Sequence, residues 1–386
     1  MTASILFYVQ HLLGVGHLAR ASLVALSLKR AGCRVRLVTG GPQVVGLSEL
    51  SVDVLPLPPV RSAEGFSGLL TLDGAPADEA FRTKRRDLLL EHFEREKPDV
   101  LLIEAYPFGR RQMRFELDPL LDAARAAPWR PLVACSIRDI LQRRRRPGRV
   151  AETVATLKRA FDLVLVHGDP GFMPLEETFP ATDEIRSLLR YTGIVVGPVP
   201  PLRGPRYDIV VSAGGGAAGA ALMRAAREAL ARSKRPDLSW CFLTGPNLAE
   251  KLGEELFSDL PANAVAAPFR SDFRALLAQA KLSVSQCGYN TAADILQAGC
   301  PAVLVPFATG GETEQTDRAR ALEARGVACV LQEDDLGGAA LALMIDRAMN
   351  NFRRPSWRPK LDGAETTALI LLEEIASRRA ALSAGR

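Results

Sequence analysis

Between Ser285 and Gln315 the chain runs SQCGYNTAADILQAGCPAVLVPFATGGETEQ, residue types suited to a nucleotide diphosphate joined to a sugar. The strand-like KLSVS ends in a small-residue turn at Cys287 and Gly288, and a helix of about two and a half turns is predicted to start near Asn290, with Ala292, Ala293 and Ile295 suited to burial. The N–H groups around Asn290 and Thr291, with the helix dipole, favour an anion there, so a diphosphate needs no lysine. Asp294, early in the same helix, has the chemistry to accept hydrogen bonds from two ribose hydroxyls. After Gly299, an apolar strand from Pro301 to Pro306 leads to a polar loop with Glu314 and Gln315, suited to sugar hydroxyls. Near the other end of the chain, His17 follows Gly16 at a predicted helix start, where the dipole disfavours imidazolium and leaves a neutral ring able to take a proton.

Two glycine-rich turns need to be read beside these groups. Gly14, Gly16 and Ala19 fit GxGxxA, and Gly214, Gly216 and Gly219, with Gly215 between them, fit GxGxxG. A nicotinamide site would place an acid at the end of the next strand. The first half ends that strand in Thr39, Gly40 and Gly41, and the second in Thr244, Gly245 and Pro246, so no dinucleotide cofactor is expected. Both turns are read as loops that let backbone approach a ligand closely. No cofactor and no metal site are expected.

The motif Ser285, Gly288, Thr291, Asp294, Gly299, Pro301, Pro306, Glu314 and Gln315 resembles the C-terminal half of GT-B glycosyltransferases of family 28, the group that forms lipid II in bacterial cell-wall synthesis. The resemblance implies that the acid at Asp294 binds the ribose, that Glu314 and Gln315 bind the donor sugar, that the loop with Phe269 and Asp272 meets the base, and that both glycine loops lie near the donor phosphates and the acceptor. The family usually has Glu at the position of Asp294, and Gln-Gln or Asp-Gln at the later pair, which puts the sugar's identity in doubt. The stretch GVGHLARA around His17 is similar to N-terminal loops of GT-B transferases and of a UDP-sugar hydrolase branch, where a histidine so placed is implicated in catalysis.

These groups must be positioned by alternating strands and helices, an α/β pattern of parallel sheets covered on both faces. Strands are expected at Ile5 to Gln10, Arg34 to Thr39, Val100 to Ile103, Leu132 to Cys135 and Leu163 to Val166, with a helix from His17 to Lys29. The proline-rich 197–206 reads as a linker, after which strands recur at Asp208 to Ser212 and Ser239 to Leu243. The expected organisation is a Rossmann-like acceptor domain over 1–196, a Rossmann-like donor domain over 207–362 and a final helix in 363–386 packing back on the first. The resemblance makes this a GT-B fold with the two domains facing across a cleft.

Hydrophobic residues make up 47% of the 386, and no apolar run is long enough to span a bilayer. MTASILFYVQ has no signal-peptide character, and six scattered cysteines fit a reducing compartment, so a cytoplasmic protein is expected. The basic excess sits in the first half, with 27 Lys and Arg against 23 Asp and Glu over 1–200, compared with 22 against 21 beyond. Arg143, Arg144, Arg145 and Arg146 form its densest run, suited to an anionic membrane surface at the inner face or to an acceptor phosphate. No aromatic residues interleave with it, which argues against nucleic acid.

The expected activity is metal-independent, inverting transfer of a sugar from a nucleotide-diphosphate donor, with UDP the expected nucleotide, to a hydroxyl on an acceptor of unknown type, a lipid-linked one among the options. His17 is the expected base, with Asp139, Glu104 and His11 as alternatives. His167 follows a strand, and His92 is expected on an exposed helix face. The alternatives are a nucleotide-sugar hydrolase in which His17 activates water, and a non-catalytic sugar-nucleotide binder.

Overall fold

The computed structural model describes residues 2–12, 16–42, 52–62, 68–143, 148–214, 219–245, 248, 250–353 and 355–384. The chain divides into two compact units, 1–195 with 362–386, and 196–361.

The first unit is built on seven strands. β1 (Ser4–Val9) leads into helix α1 (Gly16–Arg30), followed by β2 (Arg34–Thr39) and β3 (Asp53–Pro56). A short antiparallel pair, β4 (Arg61–Ser62) and β5 (Leu69–Leu70), stands apart from the sheet. Then come α2 (Glu79–Glu96), β6 (Val100–Glu104), α3 (Arg114–Ala126), β7 (Leu132–Arg138), α4 (Arg149–Ala160), β8 (Leu163–His167) and β9 (Leu189–Tyr191). The sheet order is β3-β2-β1-β6-β7-β8-β9, and every neighbouring pair in it is parallel.

Strands β1, β6 and β8 are buried along their whole length, as continuous apolar strands covered on both faces must be. One face packs Leu89 and Phe93 of α2, Leu117 and Leu121 of α3 and Leu157 of α4. The other packs Leu18, Val24 and Leu28 of α1 together with Ala368, Leu371 and Ile375 of the last helix, α11 (Gly363–Ala384). Helix α1 ends with Lys29 and Arg30 in its last turn, matched to the negative end of its dipole, and Gly32 at φ +86° closes it in the left-handed region.

His92 departs from its expected exposure. It lies on the same stripe of α2 as Leu89 and Phe93, is 6% exposed, and its Nδ1 is 2.7 Å from Arg95 Nη2.

The second unit restarts the pattern: β10 (Ile209–Ser212), α5 (Gly219–Arg232), β11 (Trp240–Leu243), α6 (Glu250–Phe257), β12 (Ala264–Ala267), α7 (Phe273–Leu277), β13 (Leu282–Ser285), α8 (Tyr289–Ala298), β14 (Ala302–Leu304), α9 (Glu314–Ala324), β15 (Ala328–Val330) and α10 (Gly338–Asn351). Its parallel sheet runs β12-β11-β10-β13-β14-β15. Helix α11 (Gly363–Ala384) then returns the chain to the first unit.

Gly219, the third glycine of the second glycine-rich turn, serves close packing of helix on strand: a Cβ there would meet the Cβ of Ala213 at 2.3 Å. Glu314 and Gln315, expected in a polar loop, instead open α9; Glu314 and Asp317 in the first turn suit the positive end of its dipole, which extends the helix to this point. Among the described residues no helix is long and apolar enough to cross a membrane.

Candidate functional site

In an open parallel sheet the ligand site lies beyond the carboxyl ends of the strands where the order reverses, because chains leaving the two adjacent strands there turn to opposite faces. In the first unit that point lies between β1 and β6. The chain leaving β1 brings His17 on the first turn of α1, and β6 ends on Glu104. His17 Nδ1 is 2.9 Å from Glu104 Oε1. The ring keeps 22% exposure, whereas the carboxylate has none.

Glu104 is the hub of a buried polar network. Arg20, one turn after His17 on α1, pairs with the same Oε1. Ser136, the partner of Glu104 in the parallel register of β6 and β7, donates to Oε2 at 2.7 Å. Ser136 Oγ is in turn 2.8 Å from His167 Nε2, and His167 Nδ1 is 2.9 Å from Thr192 Oγ1. Although burial acts to raise the Glu104 carboxyl, Arg20, His17 and Ser136 together hold it well below the usual carboxylate range.

A carboxylate that accepts at His17 Nδ1 places the imidazole proton on that nitrogen. Nε2 then carries the lone pair, the arrangement a general base needs. Burial lowers the His17 pKa to about 3, with further depression from Arg110 and Arg20 that outweighs the opposing effect of Glu104. The neutral ring expected from the helix dipole is thus secured mainly by desolvation and by neighbouring guanidiniums.

The other candidate bases are placed differently. Glu104 is sealed from solvent and held ionised by three partners, so it positions His17 and does not itself meet an acceptor. Asp139 is 2% exposed and its Oδ1 accepts the N–H of Ile140. His11 is 3% exposed with Nε2 2.8 Å from the carbonyl of Pro42. His167 is fully buried behind Ser136, and burial lowers its pKa to about 3.

Beside His17 opens a cavity of about 380 Å³, whose wall includes Glu104, Phe108, Arg110, Arg138, Arg143 and Arg149. Arg110 reaches it from the loop after β6, where Ala105 and Arg110 both adopt left-handed backbone, at φ +65° and +58°. Each such non-glycine residue costs on the order of 1–3 kcal/mol, and that strain is tolerated where the surrounding structure fixes the loop. Of the arginine run, Arg143 lines this cavity, while Arg144, Arg145 and Arg146 lie outside the described residues. Gly16 begins α1, and Gly14 lies outside the described residues.

In the second unit the order reverses between β10 and β13. Gly214 leaves β10 at φ +67°, and Gly245 leaves β11 at φ +75°. A Cβ on Gly245 would lie 2.4 Å from the carbonyl oxygen of Gly214, so these two turns are packed backbone against backbone. Gly215 and Gly216 lie outside the described residues.

From β13 the chain passes through Gly288, the N-cap of α8, which supplies no capping side chain, and the first turn holds no acid. A Cβ on Gly288 would meet nothing within 4 Å, so the N-cap position itself has open space beside it, and Asn290 and Thr291 occupy the first turn that follows. Gln315 Oε1 accepts the N–H of Cys287 at 3.0 Å and of Phe307 at 3.2 Å, tying the turn before α8 to the end of β14. Glu314 is paired with Arg318 at 2.8 Å, and Arg318 also donates to the carbonyl of Cys287. These two residues thus stiffen the turn at Cys287.

Asp294 lies one turn into α8 and accepts from Arg274 Nε of α7 at 2.8 Å. Arg274 pulls its carboxyl down, but burial is the larger influence and the pKa rises to about 6. Phe269 is 75% exposed and therefore contributes no core packing. Asp272, by contrast, accepts from Arg270 and from the N–H of Arg203, and the Arg270 guanidinium lowers its carboxyl to about 2.

The sequence does not single out Arg20, Ser136 or Arg274, and it shows Arg110 only as the start of the basic cluster RRQMR, a cluster suited to an anionic surface or an acceptor phosphate. Arg20 follows His17 by three residues, a spacing that places both on one face of a helix. The others meet the site through sheet register or a strained loop, which no local pattern discloses.

The chain is similar to known proteins in both sequence and fold. Residues 209–365 match the glycosyltransferase family 28 C-terminal domain. A UDP-N-acetylglucosamine--N-acetylmuramyl-(pentapeptide) pyrophosphoryl-undecaprenol N-acetylglucosamine transferase from Xanthomonas euvesicatoria pv. vesicatoria is 29% identical over 247 residues, 61% of this chain and 54% of that protein. The chain thus spans about half the length of such relatives. A Brucella melitensis transferase of the same name is 35% identical over 105 residues, 27% of this chain and 28% of that protein. Among solved structures, the calicheamicin glycosyltransferase CalG4 superposes with TM-score 0.63 at 18% identity, covering 100% of this chain and 98% of its own. MurG of Acinetobacter baumannii gives TM-score 0.57 at 18% identity, covering 96% and 94%. These likenesses establish a GT-B fold.

Proposed function

Since the chain carries the family 28 C-terminal domain on a GT-B fold, we propose that it transfers a sugar from a nucleotide-diphosphate donor, with UDP as the nucleotide, to an acceptor hydroxyl. The observation that supports this reading is the α8 N-terminus beyond β13, whose N-cap Gly288 supplies no capping side chain and has open space at its Cβ position, at the switch point of the domain that matches family 28. The relatives are named for a UDP-linked donor, which supports the choice of nucleotide.

His17 Nε2 takes the acceptor proton as the acceptor oxygen bonds to the anomeric carbon. The bond from that carbon to the diphosphate oxygen breaks, its electron pair leaves on UDP, and the single displacement inverts the centre. The dipole of α8 and the N–H groups at Asn290 and Thr291 favour the diphosphate charge as it grows, the role a divalent ion has in other transferases. Asp294 holds the ribose, Phe269 lies against the base, and Glu314 with Gln315 shapes the donor-sugar end through the turn at Cys287.

Calorimetry of UDP in excess chelator tests the donor site. Binding is expected, and its loss on chelation would refute the metal-free reading. Release of UDP and free sugar from UDP-sugars in water alone, as fast as any acceptor mixture gives, would instead mark a hydrolase. Binding with no turnover in any mixture would mark a binder. The cavity beside His17, about 380 Å³, favours the transferase, because water activation requires no such space.

The raised Asp294 pKa has two linked consequences of opposite sign. Its folded value of about 6 lies above the ordinary 3.8, so its contribution to the second unit's stability is complete below about 3.8 and is lost as pH rises through about 6. Ribose binding needs the ionised carboxylate, so UDP affinity is expected to fall as pH drops through about 6. Asp294→Asn should weaken UDP binding by about 1–3 kcal/mol and remove that dependence. Calorimetric titrations of both proteins between pH 7 and pH 5 decide the matter; a parent whose affinity does not change there leaves Asp294 as the counter-ion of Arg274 only.

Contact with an anionic membrane surface at the inner face belongs to the same proposal. Sedimentation with phosphatidylglycerol vesicles, compared with phosphatidylcholine, checks it.

A further inference from the structure

His167 is a buried titratable group that takes no part in the proposed transfer. It belongs to a row of polar side chains along the carboxyl ends of four neighbouring strands. Glu104 ends β6, Ser136 lies opposite it on β7, His167 ends β8, and Thr192 follows directly after β9. The register partner of Ser136 is Leu165, so His167, two residues further on, presents its side chain to the same face of the sheet. No member of the row is more than 2% exposed.

Hydrogen-bond chemistry fixes where each proton sits. Against the effect of burial, Arg20 and His17 hold Glu104 ionised, and a carboxylate only accepts, so the one hydroxyl proton of Ser136 points to Oε2 at 2.7 Å. Ser136 Oγ then turns a lone pair to His167 Nε2 at 2.8 Å, and that nitrogen must carry a hydrogen. Burial, with Arg20 adding to it, lowers the His167 pKa to about 3, so the ring is neutral and its single N–H is the one on Nε2. Nδ1 keeps a lone pair, which accepts from the Thr192 hydroxyl at 2.9 Å. The donors therefore all point one way, from Thr192 through His167 and Ser136 to Glu104, and bonds aligned in this manner strengthen one another. With Oε2 engaged by Ser136, Oε1 is left to Arg20 and to His17 Nδ1.

We propose that His167 and Thr192 are positioning residues for the base: acting through Ser136, they fix the carboxylate of Glu104 so that His17 keeps its proton on Nδ1 and its lone pair on Nε2. Packing alone would favour an apolar side chain at the end of β8, after Leu163, Val164, Leu165 and Val166, and burying an imidazole there costs free energy that its hydrogen bonds must offset. The inference rests on the reading of His17 as the general base.

The test follows the ring of His17 in the full chain labelled with nitrogen-15 histidine, which gives four rings to assign. His167→Leu removes both bonds of the row, His167→Gln returns an N–H near the place of Nε2, and Thr192→Val removes the hydroxyl at nearly constant shape. In His167→Leu the Nδ1–H resonance of His17 is expected to shift and the ring to move toward the Nε2–H tautomer. Release of UDP from UDP-N-acetylglucosamine, with water in place of the acceptor, should fall by about 10- to 100-fold, while UDP affinity and KM for the donor stay as in the parent. His167→Gln should recover most of both effects, and Thr192→Val should show a smaller loss in the same direction. A His17 ring that matches the parent's in folded His167→Leu and Thr192→Val overturns the proposal, even where the melting temperature falls, because His167 would then serve packing. A glutamine variant no better than the leucine variant overturns it too. If His167→Leu does not fold, Thr192→Val decides by the same readouts. Should His17→Ala release UDP at the parental rate, the base reading falls, while the ring shifts still decide whether the row orients His17.

Discussion

Replacing His17 with alanine is expected to lower turnover by about 10² to 10⁴, the usual contribution of a positioned general base, while UDP affinity stays near that of the parent. The separation follows from the proposal, since His17 belongs to the first unit and the nucleotide is proposed to bind the second. The ring is 22% exposed, so its loss removes little packing, and the melting temperature should move far less than turnover. With its pKa near 3, His17 is neutral throughout the neutral range, and turnover of the parent should show no acid limb from this residue between pH 5 and pH 8. Steady-state rates over that range, with a UDP titration of the variant, check both statements. An unchanged rate in a folded variant would remove His17 from the reaction and with it the proposed base.

The same lowered pKa shapes stability. For His17 and His167 the folded values, about 3, lie below the ordinary 6.5, so the unfolded chain binds protons first and the first unit loses stability as pH falls from about 6.5 toward 3. Glu104, held ionised in the folded state, adds to the loss in the same direction at lower pH. Asp294 acts oppositely in the second unit, so acidification is expected to weaken the first unit relative to the second.

What the sequence disclosed was local. The turn at Gly288 followed by Tyr289–Ala298 announces a helix N-terminus because small residues and a regular apolar spacing are properties of adjacent positions. His17 after Gly16 belongs to the same class, and so do the strands that end at each switch point. The roles of Glu104, Ser136 and Arg110 depend on which strands lie side by side. Glu104 meets Ser136 only because β6 and β7 are neighbours in this register, and it meets His17 only because β6 lies next to β1. A run of Thr and Gly before Glu314 makes the sequence there read as loop, and the burial of Glu314 against Arg318 becomes visible only when α9 is seen as a helix with the two residues one turn apart. The charged neighbours of His92 make it read as exposed in the sequence, although Leu89 and Phe93 on either side mark the buried stripe of α2.

Glu104 is where position and stability are most tightly joined, and its variants are expected to separate the two. Glu104→Ala takes away the carboxylate that pairs with Arg20, 2% exposed, and breaking a buried pair of that kind costs about 3–5 kcal/mol. Thermal or denaturant unfolding should show that loss in the transition of the first unit. Glu104→Gln keeps the shape and softens the penalty, but an amide at this place can donate to His17 Nδ1. That would move the imidazole proton to Nε2 and take the lone pair away from the acceptor. Turnover is therefore expected to fall by about 10² to 10⁴ through the wrong tautomer, with UDP affinity retained and KM for the donor little changed. Nitrogen-15 shifts of the His17 ring distinguish the two tautomers directly. A Glu104→Gln protein that folds, keeps the Nδ1–H tautomer and turns over at the parental rate would show that the carboxylate does not orient the base. A protein that switches tautomer and loses turnover together would establish Glu104 as the residue that orients the base.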